Sequence, residues 1–148
     1  MLKNVVVIGY GSIGKRHTEI LQAMDEIEEV IVLSQQNELP CKTIKNIDEI
    51  NEVNPEYIII ASSTALHYEQ LRYIENNFSG KTILVEKPLF EQQYDFHIRN
   101  NTVFVGYNLR FHPLLQMVKE KIDANKLWNI NIFCGSYLPD WRMDRDYR

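Results

Sequence analysis

Val5-Val6-Val7-Ile8-Gly9-Tyr10-Gly11-Ser12-Ile13-Gly14 is the stretch whose reading decides the fold. A β-branched run without polar alternation reads as a strand buried on both faces, the habit of parallel sheets. Glycines 9, 11 and 14 then fit G-x-G-x-x-G, and Ile13, Ile20, Leu21 and Met24 follow at helical spacing as one apolar face. A glycine turn between a strand and a helix lets a phosphate approach backbone. Gly9 permits the tight turn, Gly11 admits a pyrophosphate, and Gly14 lets the helix pack on the strand. Ser12 and Ile13 complete a cradle whose free N–H groups and helix dipole attract an anion. The pattern predicts a dinucleotide site.

Working outward, Val30–Leu33, Tyr57–Ala61, Thr82–Val85 and Thr102–Val105 repeat the buried-strand pattern. Short helices are predicted over 48–53 and 67–76, the latter with Leu66, Tyr73 and Ile74 inward. Strands alternating with helices predict an α/β, doubly wound parallel sheet. Pro113–Ile122 reads as a helix with Leu114, Leu115, Val118 and Ile122 on one face, and Trp128–Tyr137 as a half-exposed strand. We therefore expect a dinucleotide-binding domain over 1–112 and the beginning of an incomplete second α+β domain over 113–148. The latter is too short for a core of its own, so self-association through 113–137, or a homo-oligomer, is expected.

The composition narrows the function classes. A net charge of −4 over 148 residues argues against a nucleic-acid surface. No apolar run nears the roughly 20 residues that span a bilayer, and no signal peptide is evident, so no membrane partner and a cytoplasmic location are expected. Cys41 and Cys134 lack metal-ligand spacing and read as reduced thiols, and no metal is expected. His17, His67, His97 and His112 lie far apart without partners at ligand spacing.

Ser34 stands where an Asp or Glu would read the adenosine ribose of NAD, followed by Gln35 and Gln36. No carboxylate there repels a 2′-phosphate, and no Arg holds one. Both NAD and NADP stay open, with a tilt to NAD because a phosphate without a cation is poorly held. Ser62-Ser63-Thr64 follow the third predicted strand, at the sheet edge where open α/β folds bind ligands, and can lie against a nicotinamide ribose. His67 opens the next helix, as a cofactor neighbour or as a capping or packing residue. Glu86-Lys87-Pro88 follows the next strand. A lysine beside a cofactor can hydrogen-bond a substrate hydroxyl and shuttle its proton, whereas alone it would be an ordinary surface residue.

Taken in order, the glycine fingerprint, 62–67, Glu86-Lys87-Pro88 and Gly106-Tyr107-Asn108-Leu109-Arg110-Phe111-His112-Pro113 closely resemble the Gfo/Idh/MocA family of NAD(P)-dependent oxidoreductases. That group contains glucose–fructose oxidoreductase and inositol dehydrogenase. The resemblance implies hydride transfer at a hydroxyl carbon of a sugar, nucleotide sugar or cyclitol, with Lys87 catalytic at the substrate hydroxyl and Arg110 beside the substrate. It allows a cis Lys87–Pro88 bond. It sets Glu86 and Asn108 at the cofactor, and a likeness of the 137–148 tail to a surface-glycan subgroup adds Trp141 and Arg142. Two departures accompany it: the helix usual between Pro88 and Thr102 shrinks to about 91–98, and the family's Asp-x-x-x-His element is not found in this sequence. The chain therefore reads as a truncated oxidoreductase, inactive as it stands. The alternative is a non-catalytic NAD(P)-binding sensor or interaction module.

Overall fold

Parallel pairing organises the chain, because each β-branched run is flanked by a crossover too long for a hairpin. The computed structural model describes residues 3–122, 126, 129 and 131–133. The element order is β1 (Lys3–Ile8), α1 (Ser12–Gln22), β2 (Ile27–Leu33), β3 (Lys42–Ile44), a 3-10 turn (Ile47–Glu49), α2 (Ile50–Val53), β4 (Tyr57–Ile60), α3 (Thr64–Asn77), β5 (Thr82–Val85), β6 (Thr102–Val105), a second 3-10 turn (Asn108–Phe111) and α4 (Pro113–Lys121). The chain divides into two units, Met1–Asn108 and Leu109–Arg148.

In the first unit six strands form one sheet in the order β3-β2-β1-β4-β5-β6, and each neighbouring pair is parallel. The order reverses between β1 and β4, which opens a crevice at their carboxyl ends. Alternating residues separate two cores. Val6, Ile8, Ile58, Ile60 and Ile83 pack with Ile50 of α2 and with Leu71 and Ile74 of α3. On the opposite face, Val5, Val7, Val32 and Ile59 pack with Leu21 of α1.

Several expectations are corrected. The strand β3 is absent from the sequence reading, because three residues ending in a single buried Ile44 carry too little pattern. Ile13, Ile20 and Met24 are exposed by 39%, 51% and 44%, so they are not the inner face of α1. The buried residues are Gly14, Thr18 and Leu21. Small residues let this helix lie close to the sheet, and the Thr18 hydroxyl donates back to the Gly14 carbonyl at 2.9 Å. Likewise Leu66 is exposed, and α3 buries His67, Leu71, Ile74 and Glu75 instead.

No helix forms over 91–98. Phe90, Tyr94 and Phe96 instead cluster on Tyr68 of α3. Tyr94 stacks at 3.8 Å between ring centroids, with Phe90 and Phe96 edge-on at 5.6 and 5.7 Å. Tyr94, Phe96 and Ile98 recur every second residue, a spacing that puts no stripe along a helix. Aromatic packing thus covers the α3 side of β6, while Phe104 on its other side is 54% exposed.

In the second unit, His112 caps α4 by accepting from the Leu114 N–H at 3.3 Å. Leu114, Leu115, Val118 and Ile122 on this segment are all exposed. The strand expected at 128–137 falls largely outside the described residues. Among the described residues, no helix is long and apolar enough to cross a membrane.

The segment entering β6 is anchored by Glu75, which is 4% exposed. Its carboxylate accepts from the Arg99 and Asn100 N–H groups at 2.6 Å each and from the Asn101 amide at 2.8 Å. Burial alone would push its pKa up, but these hydrogen bonds outweigh burial and hold it below the ordinary value. A carboxylate depressed in the folded state contributes stability that is complete above about pH 4–5 and is lost as pH falls through its folded pKa. Glu75→Gln turns one acceptor into a donor facing Asn101. It should cost about 1–3 kcal/mol near neutral pH and flatten the acid limb of stability. Urea melts of both proteins from pH 7 to pH 3 check this; parallel acid limbs would refute it.

Candidate functional site

The crevice at the strand reversal begins with the glycine turn. Gly9 has φ +98°, a left-handed conformation, and a Cβ there would stand 2.7 Å from Ser62 Cα. A Cβ on Gly14 would stand 2.1 Å from the Gly9 carbonyl oxygen. Both glycines are therefore required by backbone contact. Gly11 differs: it caps α1 with φ −74°, and a Cβ there meets nothing within 4 Å. The space beside it is open. The N–H groups of Ser12, Ile13 and Gly14 have no acceptor among the described residues, and the first turn carries no acidic side chain. Orphan donors and a positive dipole end facing open space suit a pyrophosphate.

The ribose-reading position lies at the end of β2. Ser34 is buried, and its hydroxyl oxygen accepts from the Gln36 N–H at 3.2 Å. The Gln36 amide reaches the glycine turn, donating to the Tyr10 carbonyl at 3.1 Å. Lys45, just after β3, donates from its ammonium to the carbonyls of Ser34 at 3.1 Å and Gln36 at 2.6 Å. Sequence reasoning missed this cation, since it follows a strand too short to be recognised.

Across the crevice, Ser62 leaves β4 and donates to Gln70 at 2.6 Å, Ser63 stands at the N-cap position of α3 without a side-chain capping bond, and Thr64 begins the helix. His67 is 1% exposed, as in its reading as a packing residue. Its Nδ1 lies 3.1 Å from the carbonyls of Pro88 and Leu89, and its Nε2 lies 3.2 Å from the Ser62 carbonyl. The imidazole therefore fastens the turn after β4 to the turn after β5.

That second turn carries Lys87, whose bond to Pro88 is cis. The side chain of Lys87 is exposed and has no partner among the described residues. The Glu86 carboxylate is half-buried, 2.8 Å from His17 Nε2, and its other oxygen accepts from the Lys87 N–H at 3.3 Å. Gly106 makes room for it: a Cβ there would be 3.3 Å from the carboxylate atoms. Glu86, expected at the cofactor, thus spends its nearer oxygen on α1. His17, partnerless in the sequence reading, is its partner. The usable signal was its position three residues after Gly14 and next to Thr18, on the margin of the buried face.

Asn108 is exposed at the end of the first unit, and Arg110 is exposed in the second. Trp141 and Arg142 lie outside the described residues. The crevice thus brings together Gly9–Gly14, Ser34, Ser62–Thr64 and Lys87, with His67 as a packed support and His17 and Lys45 as unexpected ones.

Comparison with known proteins agrees with this geometry. The model of an oxidoreductase family with an NAD-binding Rossmann fold, Gfo/Idh/MocA, matches residues 3–97. Levoglucosan dehydrogenase of Pseudarthrobacter phenanthrenivorans is 26% identical over 95% of this chain, which spans 42% of that protein's length. In fold, the chain is similar to scyllo-inositol dehydrogenase of Lactobacillus casei, solved with NAD(H) and scyllo-inositol (TM-score 0.67, 19% identity, 81% of this chain and 40% of that one). It is also similar to the WlbA dehydrogenase of Bordetella pertussis, solved with NADH and UDP-GlcNAcA (TM-score 0.66, 19% identity, 81% and 41%). With the family model spanning β1 to β5, the glycine turn and Glu86-Lys87-Pro88 alike, this chain belongs to the Gfo/Idh/MocA oxidoreductase family.

Proposed function

We propose that the chain is the cofactor-holding part of an enzyme that moves hydride to or from a hydroxyl carbon of a sugar, nucleotide sugar or cyclitol. The observation that carries this reading is the open space at Gly11 beneath three unpaired N–H groups, on the same sheet edge as Lys87. The glycine turn holds the pyrophosphate, Ser34 reads the adenosine ribose, and Ser62–Thr64 border the nicotinamide side. A bound nicotinamide supplies the site that accepts or gives the hydride. Oxidising a secondary alcohol also releases a proton from oxygen. Lys87 hydrogen-bonds that oxygen and passes the proton. His17, through Glu86, and His67, through the Pro88 and Leu89 carbonyls, hold the Lys87 turn from two sides. The levoglucosan, inositol and UDP-sugar substrates named for the relatives support the polyhydroxylated substrate class.

Gly11 and Gly14 separate binding from folding. Gly11→Val should still fold, losing no more than the roughly 1 kcal/mol of a poorer helix N-cap, while weakening NADH by at least about tenfold, because its side chain fills the pyrophosphate space. Gly14→Val should fail to fold, with its Cβ driven into the Gly9 carbonyl. Differential scanning fluorimetry with NADH titration checks both; unchanged affinity in folded Gly11→Val would sink the binding reading.

His17→Leu leaves the half-buried Glu86 carboxylate without its partner and should cost about 1–3 kcal/mol. His17→Gln, which can still donate, should recover most of that loss. Equal denaturation midpoints for the His17→Leu variant and the wild type would contradict the pairing.

A further inference from the structure

At the ribose-reading end of β2, the tilt towards NAD rests on the lack of a cation. The structure supplies one from a neighbouring strand. Lys45 follows β3, and its ammonium lies against the Ser34 and Gln36 carbonyls at 3.1 and 2.6 Å. The Gln35 amide donates back to the Lys45 carbonyl at 2.6 Å, so the two loops are interlocked. An ammonium has three donors, and the carbonyls occupy two. One N–H and the full positive charge are left at the residue that reads the ribose.

The surroundings favour an anion there. Residues 34–37 are Ser, Gln, Gln and Asn, and the first carboxylate of this loop is Glu38, which follows them. The acidic group on the adjoining turn directs one oxygen to backbone: Glu49 Oε1 accepts from the N–H groups of Asn46 at 2.7 Å and Lys45 at 3.0 Å. The Ser34 hydroxyl oxygen takes the Gln36 N–H, which leaves its own hydrogen free to donate. A cation fixed by two carbonyls, beside a free hydroxyl and two amide side chains, matches a phosphomonoester better than a bare diol.

We propose that Lys45 is the residue that binds the 2′-phosphate of NADP and makes this site select NADP(H) over NAD(H). The assignment rests on the reading of the crevice as a dinucleotide site. A purely structural staple between the loops would affect both cofactors alike, so the test is a ratio.

NADPH and NADH are titrated by fluorescence into the 148-residue chain and its Lys45→Met and Lys45→Arg variants, with folding checked by circular dichroism. The wild type should bind NADPH at least about tenfold more tightly than NADH. Lys45→Met should erase that preference by weakening NADPH at least about tenfold more than NADH, and Lys45→Arg should keep it. Adenosine 2′,5′-bisphosphate should displace bound NADH better than 5′-AMP in the wild type, a result independent of any variant. Equal weakening of both cofactors by Lys45→Met, or a wild-type preference for NADH, would overturn the Lys45 assignment while sparing the dinucleotide site. Folded wild type that binds neither cofactor would overturn both.

Discussion

Backbone meets backbone where β1 turns into α1 and β4 turns into α3. A Cβ on Gly14 would stand 2.1 Å from the Gly9 oxygen, and one on Gly9 would stand 2.7 Å from Ser62 Cα. This contact draws α1 onto the sheet at its amino end and sets its first N–H groups over the crevice at the strand reversal. It also explains why α1 buries Gly14, Thr18 and Leu21 rather than its larger side chains. A bulkier inner face would lift the helix away, and the unpaired N–H groups would lose their place beside the switch point.

The second constraint is the attachment of the Lys87 turn. It rests on no helix or strand of its own. Glu86 ties it to α1 through His17, and His67 ties it to the Ser62 turn. These links join the three loops that line the crevice, so the lysine is held relative to the glycine turn by side chains rather than by chain connectivity. Beneath the segment that follows, the Tyr68 aromatic cluster replaces a crossover helix and brings the chain back to β6.

How much of this was legible in the sequence follows from how each feature is encoded. The five longer strands and the glycine turn are local patterns, four to ten residues of β-branched and glycine code, and could be read directly. Glu86-Lys87-Pro88 was visible as a motif, but its support was not, because His17 and Glu86 are 69 positions apart. His67 could be read as a cofactor neighbour or as a packing residue, and the carbonyls that hold its ring lie 5 to 22 positions away. Lys45 escaped because β3 is three residues long and its ammonium reaches sideways to a neighbouring strand. The helix expected over 91–98 failed on local pattern: Tyr94, Phe96 and Ile98 recur every second residue, and the partner they pack on, Tyr68, is distant in sequence.

The account makes the glycine turn the point at which ligand and fold meet. Amide chemical-shift mapping by NMR, with NADPH added stepwise to the isotopically labelled chain, tests that most directly. Saturable shifts largest at the Gly11, Ser12, Ile13 and Gly14 amides, extending to Ser34 and Ser62–Thr64, are the predicted result. Shifts that spare the glycine turn, or that centre on the far ends of the strands, would contradict it.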